Sequence, residues 1–339
     1  MSRIAIIGAG AWGTALAMVV GRRGNHEVRL WAFEKDVCAG IESSRVNHLF
    51  LPGFTIPPTV RASNDLRDAL AGAEIVVSVM PSHHCRRVFE HMAQWLLPHM
   101  LFVSAAKGIE NDTLLRMSEV IQEVVERFCG FAPRVGAISG PSFAVEVAKG
   151  DPAALTIASA DAALASVVQR DFSDPNFRIY LNDDLIGVEL GGALKNVIAI
   201  AAGVCHGLEL GHNTVAALIT RGLAEIARLA AACGAKPQTM SGLAGMGDLV
   251  LTCTGGLSRN RSVGVALGQG QPLQQIITGM HGMVAEGVLT TNAAVGLAKK
   301  HSVEMPITEQ MYAILHDGKP ARDAIRTLMM RPGKAEDRF

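Results

Sequence analysis

Residues 3–20 read RIAIIGAGAWGTALAMVV, and the fold of the N-terminal half turns on this stretch. Arg3–Ile7 is an apolar run of strand length, and a helix opens at Trp12 and continues to Val20. Between them stand Gly8, Gly10 and Gly13 at G-x-G-x-x-G spacing. The first glycine permits a tight turn, the second lets a pyrophosphate approach the backbone, and the third lets helix and strand pack closely. The helix N-terminus adds NH donors and positive potential for phosphate. Strand, glycine turn and helix in this order predict a dinucleotide-binding unit. Three glycines at motif spacing and no small-residue cleavage site argue against a secretory leader.

The strands that follow agree with that unit. Glu27–Trp31 is a second strand, with Phe33 and Glu34 just beyond it, about twenty residues past the glycines. Glu34 reads equally as an acceptor for ribose hydroxyls or as a surface charge. Asn64 or Asp65 starts a short helix, and residues 75–79 form a buried strand that ends before Pro81. Residues 101–105 form the next, running into Ala106-Lys107-Gly108. Residues 135–138 lead into Ser139-Gly140-Pro141-Ser142-Phe143-Ala144, a turn followed by a helix. Late strands at 154–158 and 177–181 flank a helix over 161–172. Strands alternating with helices predict a parallel sheet, whose ligands sit beyond the strands' carboxyl ends. Lys107 occupies such an end and is a candidate substrate contact.

From 183 to 203 the chain reads DDLIGVELGGALKNVIAIAAG. Asp183 or Asp184 serves as a helix cap, and Leu190, Leu194, Val197, Ile198 and Ala201 recur at helical spacing. Between Ile186 and Ala202 the only charges are Glu189 and Lys195. A lysine here either snorkels to solvent or needs a partner, a lowered pKa or a polar cavity. With Asn196 beside it, at the end of the first domain, Lys195 is a candidate active-site residue. Gly191 and Gly192 leave room for another backbone to approach. Strand signals then fade. Asn213 or Thr214 is expected to cap a long helix that Gly234 ends, and Gly242–Asp248 is expected to be a flexible segment carrying one acid. Ser258-Arg259-Asn260 opens a further helix and reads equally as a phosphate clamp or as an ordinary cap with solvated arginines.

Composition narrows the class. At 339 residues two domains are expected, residues 1–182 and 183–339. Lysine plus arginine and aspartate plus glutamate each number 31, which gives no electrostatic case for nucleic acid or an anionic membrane. The six cysteines lack metal-ligand spacing, so no metal is expected, and they fit reduced thiols in cytoplasm. No uninterrupted apolar run reads as long enough to span a bilayer, so no membrane insertion is expected.

Taken together, GAGAWGTALA, AAKGIE, SGPSFAVEVA, FRIY, IGVELGGALKNVIAIAAG, ITRGLAEIARL, GLAGMGDLVLTC and SRN resemble the bacterial NAD(P)-dependent glycerol-3-phosphate dehydrogenases, in order, from Gly8 to about Leu328. The resemblance implies a Rossmann-like, doubly wound N-terminal domain and an all-α C-terminal domain, as a homodimer. It implies Lys195 as catalytic acid/base, Asp248 as its partner, and Lys107, Gly140, Ser142, Ser258, Arg259 and Asn260 around the triose phosphate. Cofactor contacts implied with Gly8, Gly10 and Gly13 are Ala11, Trp12, Phe33, Lys107, Ala144, Arg259, Val284 and Glu286. Ala11 stands where a serine is frequent. Ala32 and Phe33 stand where many relatives carry Arg or His, which removes the usual cation for a 2′-phosphate.

The expected reaction is reversible hydride transfer between NAD(H) or NADP(H) and dihydroxyacetone phosphate, giving sn-glycerol 3-phosphate for glycerophospholipid synthesis. A 3-hydroxyacid or ketopantoate-type reductase would use the same build without a reason for Ser258-Arg259-Asn260. A non-catalytic dinucleotide sensor would have no need of Lys107, Lys195 and Asp248.

Overall fold

The computed structural model describes residues 1–280, 284–333 and 335–336; the last three residues of the expected second domain lie outside these. Two compact units emerge, one made of Met1–Ala106 and Met117–Leu185, the other of Lys107–Arg116 and everything described from Ile186 onward. A single cut between residues 182 and 183 therefore misses an excursion, because residues 107–116 belong to the second unit.

The first unit is an eight-stranded sheet: β1 (Arg3–Ile7), β2 (Glu27–Trp31), β3 (Val60–Ser63), β4 (Ile75–Ser78), β5 (Leu101–Ser104), β6 (Arg134–Ser139), β7 (Ala153–Ala158) and β8 (Phe177–Asn182). Their order across the sheet is 3-2-1-4-5-6-7-8, the doubly wound arrangement extended by two strands. Every pairing is parallel except β6 with β7, which run antiparallel. Residues 140–152 hold one short helix, and the chain returns alongside β6 rather than crossing over the sheet. Strand β3 also escapes the sequence pattern. It is four residues long, too short for alternation to show.

Helices of this unit are α1 (Ala11–Arg22), α2 (Lys35–Ser44), α3 (Leu66–Leu70), α4 (Cys85–Met92), α5 (Met117–Cys129), α6 (Ala144–Lys149) and α7 (Ala162–Phe172). On one face Ile4, Ile6, Val77 and Val103 meet Leu16 of α1, Val147 of α6 and Val168 of α7 in one apolar cluster. On the other face Phe102 packs on Phe89 of α4, ring centroids 6.2 Å apart. Asp65 caps α3 and Asp161 caps α7, each accepting from backbone NH groups of its first turn.

The second unit is helical and built around α8 (Leu185–Gly207), buried at every position from Gly187 to Cys205. Helix α8, its apolar run interrupted by Glu189 and Lys195, is long and apolar enough by length and composition to cross a membrane, but 89% of that window is buried inside the protein. It is the core helix of its unit. Around it stand α9 (His212–Ala232), α10 (Asp248–Thr254), α11 (Arg259–Gly268), α12 (Leu273–Gly279), α13 (Glu286–Lys300), α14 (Pro306–His316) and α15 (Ala321–Met329). Helix α9 opens earlier than expected, at His212 with Gly211 as N-cap.

Glycines set the closest approaches to α8. A Cβ on Gly264 would stand 2.0 Å from the Ile200 carbonyl oxygen, and one on Gly203 would stand 2.1 Å from that of Arg261. One turn further on, Gly207 and Gly268 repeat the arrangement against Val265 and Val204. Backbone-to-backbone contact of this kind fixes the register of α11 on α8.

Candidate active site

Lys195 lies midway along α8, only 6% exposed. Its ammonium donates to the Thr252 hydroxyl at 2.7 Å and lies 3.0 Å from Oδ1 of Asp248. Asp248 is 1% exposed and its Oδ2 accepts from Nζ of Lys107 at 2.7 Å. Burial pushes the Lys195 ammonium down to about 8, reinforced by the charge of Lys107 and opposed by that of Asp248. Burial alone would raise the Asp248 carboxyl. The two ammonium groups outweigh it and hold Asp248 below the usual carboxylate range. The Cys253 thiol beside this cluster is pushed up to about 12, chiefly by burial, and stays protonated.

Local sequence explains how three charges meet in an apolar unit. Residues Leu243–Gly247 form a π-helical turn where a flexible segment was expected. Its Ala244 carbonyl sits where a Cβ on Gly191 would be 2.7 Å away, the close approach that the glycine pair was read to permit. The turn ends at Asp248, the first residue of α10, which is thereby delivered to Lys195. Thr252 lies one turn further along α10 and donates its hydroxyl hydrogen to the Asp248 carbonyl at 2.6 Å. That leaves a lone pair for Lys195. Thr252 was not singled out from sequence, although its i+4 spacing from Asp248 puts it on the same helix face.

Asn196 and Asn260 serve the framework. Nδ2 of Asn196 donates to the Lys107 carbonyl at 3.0 Å, and its Oδ1 accepts from Nδ2 of Asn260 at 2.9 Å. Oδ1 of Asn260 in turn accepts from the Gly287 NH at 2.9 Å. Of the three residues read as a phosphate clamp, Ser258 is the N-cap of α11, accepting from the Arg261 NH at 3.2 Å. Asn260 is committed to this relay through its carbonyl oxygen and one amide hydrogen. Arg259, the first residue of α11, is the exposed one. Val284 and Glu286 stand at the start of α13 and are half-buried.

The remaining expected residues lie in the first unit. Gly8 has φ +123°, and a Cβ on Gly13 would fall 1.9 Å from the Gly8 carbonyl oxygen, so neither position admits a side chain. A Cβ on Gly10 would meet nothing within 4 Å, leaving the turn's backbone open to a ligand. Ala11 and Trp12 begin α1, and the buried Trp12 Nε1 has no hydrogen-bond partner within the protein. Phe33 is 69% exposed just past β2, its ring edge-on to Trp31 at 6.1 Å. Gly140 has φ +141°, Ser142 donates to its carbonyl at 2.9 Å, and Ala144 begins α6. Among the described residues no group of three or more His, Cys, Asp or Glu is placed to hold a metal ion.

A sheet with the dinucleotide-binding glycine turn, and a helical unit with a buried lysine ammonium paired to a carboxylate, are the parts of a nicotinamide-dependent oxidoreductase. Comparison with known proteins agrees. Residues 3–165 match the family described as NAD-dependent glycerol-3-phosphate dehydrogenase N-terminus, and residues 184–326 match its C-terminus. A glycerol-3-phosphate dehydrogenase [NAD(P)+] of Koribacter versatilis is 68% identical, over 99% of each chain. That of Acidobacterium capsulatum is 52% identical, over 99% of this chain and 100% of its own. The crystal structure of glycerol-3-phosphate dehydrogenase from Coxiella burnetii superposes with a TM-score of 0.93 at 40% identity, covering 97% of this chain and 99% of that one. The chain belongs to the NAD-dependent glycerol-3-phosphate dehydrogenase family.

Proposed function

We propose that the protein catalyses the reversible NAD(P)-dependent reduction of dihydroxyacetone phosphate to sn-glycerol 3-phosphate. One observation carries the reading: Lys195, deep in an apolar helix, is an ammonium held by Asp248 and Thr252 with its pKa brought down to about 8. A proton donor poised near neutral pH is what carbonyl reduction needs.

The dinucleotide fits the first unit. The open backbone at Gly10, the side-chain-free turn at Gly8 and Gly13, and the unpartnered Trp12 Nε1 are features such a ligand would use. Gly8, Gly10, Ala11, Trp12, Gly13, Phe33 and Ala144 are assigned to hold it, and the family resemblance adds Lys107, Arg259, Val284 and Glu286 as cofactor contacts. When bound, the nicotinamide supplies or accepts the hydride at C2 of the substrate. Lys195 donates its proton to the carbonyl oxygen as negative charge builds there, and in the oxidative direction its neutral amine takes the hydroxyl proton. Asp248 remains ionised and keeps Lys195 charged despite burial. Lys107 adds a second positive charge and orients the substrate, with Gly140 and Ser142 as further contacts. Arg259, helped by Ser258 and the free amide hydrogen of Asn260, holds the phosphate, so that binding energy from a non-reacting group serves orientation at C2. As a cytoplasmic homodimer the enzyme would feed glycerophospholipid synthesis.

The test is NADH oxidation with dihydroxyacetone phosphate, set beside unphosphorylated dihydroxyacetone and ketopantoate. Turnover confined to the phosphorylated triose supports the reading. Faster turnover of ketopantoate, or none with any carbonyl, overturns it.

A further inference from the structure

We propose that the buried ion pair between Arg116 and Glu189 is a positioning device for Lys107: it fastens the excursion 107–116 to α8 and so keeps the Lys107 ammonium on Asp248. Nη1 of Arg116 lies 2.6 Å from Oε2 of Glu189, with side chains 14% and 5% exposed. Exposed ion pairs contribute little, but a desolvated one with good geometry holds its two elements together.

The excursion has the form of a hairpin. Ile109 and Arg116 are bridged antiparallel, the Glu110 NH donates to the Leu115 carbonyl, and the Leu114 NH donates to that of Glu110. Leu114 adopts a positive φ of 60° at the turn and packs against Gly296, where a Cβ would stand 2.8 Å from the leucine. Ile109 is sunk in the second unit's core. At one end of the hairpin Asn196 of α8 donates to the Lys107 carbonyl; at the other, Glu189 of the same helix accepts from Arg116. With both ends tied to α8, which also carries Lys195, the three charges of the site keep a fixed geometry. Release of the Arg116 end lets the hairpin pivot and draws the Lys107 ammonium off Asp248.

The direction of the effect on Lys195 separates this role from a direct one. The charged or titratable groups facing Lys195 are Lys107 from the hairpin, and Asp248 and Cys253 from α10. Lys107 holds the Lys195 ammonium down, so losing it moves the Lys195 titration upward. Deleting the negative charge of Glu189, acting only through space, would move it downward.

The experiment uses full-length protein carrying lysine labelled with ¹³C at Cε, the Lys195 resonance being assigned by its loss in Lys195→Met. In Glu189→Gln the Lys195 midpoint is expected to rise by about one pH unit, and kcat/KM for dihydroxyacetone phosphate to fall about tenfold. The exchanged pair Arg116→Glu with Glu189→Arg should restore both. Arg116→Lys, which keeps the charge on a single-pronged head, should lie between. Thermal unfolding identifies any variant that fails to fold, and the conservative Arg116→Lys then carries the test. An unmoved or lowered Lys195 midpoint in a folded variant overturns the inference. The kinetic arm rests on the proposed reaction, whereas the titration does not. Wild-type protein inert toward dihydroxyacetone phosphate would sink that reaction and leave the positioning role to the midpoint shift.

Discussion

The hydroxyl of Thr252 accepts from the Lys195 ammonium at 2.7 Å while its own hydrogen is spent on the Asp248 carbonyl. Its lone pair is therefore aimed at the lysine by the helix that carries the carboxylate. In Thr252→Val the side chain keeps its size and loses the acceptor. A hydrogen bond to a charged group contributes ~1.5–3 kcal/mol, so the Lys195 midpoint should fall from about 8 by roughly one unit. With Lys195 as the proposed acid, reduction uses the protonated lysine, so wild-type activity should be present below about 8 and lost as pH rises through it. Oxidation has the opposite profile. Both profiles should move to lower pH in the variant, and pH–rate curves in each direction check this.

Arg259 is the exposed cation at the start of α11, beside a serine and an asparagine already engaged in the framework. Arg259→Ala should raise KM for dihydroxyacetone phosphate by 10²-fold or more, a desolvated charge pair being worth ~2–5 kcal/mol. Activity with unphosphorylated dihydroxyacetone should barely change. Equal losses with both substrates would move Arg259 from the phosphate to the cofactor.

The contact of Gly264 with the Ile200 carbonyl leaves no space for a methyl group. Gly264→Ala must push α11 away from α8, at a cost of ~1–3 kcal/mol or more, and should lower Tm while raising KM for the phosphorylated substrate. Gly279, at the end of α12, has nothing within 4 Å of its Cβ position. There the same substitution should be neutral or stabilising by ~0.4–1 kcal/mol. Calorimetric scans of the two variants make the comparison.

Glu225 of α9 is 2% exposed and receives the Ile307 NH at 2.7 Å and the Thr308 NH at 3.2 Å, holding the first turn of α14. Burial raises its carboxyl to about 7, against the opposing pull of those donors. The folded state thus binds a proton that the unfolded chain releases near 4.5. Its contribution is complete below 4.5 and is lost as pH rises through about 7, by up to ~3 kcal/mol. Glu225→Gln should flatten this slope. Urea titrations at both ends of that range measure it, and parallel slopes for the two proteins would remove Glu225 from the account.

Phe33 and Glu34 follow β2 and are exposed, where NADP specificity ordinarily calls for an arginine. NADH should be used well, with any preference for NADPH below roughly 100-fold in kcat/KM. Phe33→Arg should shift the ratio toward NADPH. Steady-state kinetics with both nucleotides test it, and an unmoved ratio would mean that the ribose site lies elsewhere.

By itself the sequence determined the elements whose signal is local. The glycine turn of residues 8–13 follows from what a backbone without Cβ can do, and α8 from apolar spacing over many residues. Lys195 stood out because a lone cation in such a helix demands an explanation. Only the tertiary structure decided who answers it. Lys107 and Asp248 are 141 residues apart, and Thr252 is 57 from Lys195; no periodicity relates such positions. The reversal at β7 and the return of residues 107–116 to the second unit were likewise settled by packing. A buried ammonium costs several kcal/mol until a carboxylate and a hydroxyl reach it, and that requirement is met in space, by whichever segments the core brings alongside.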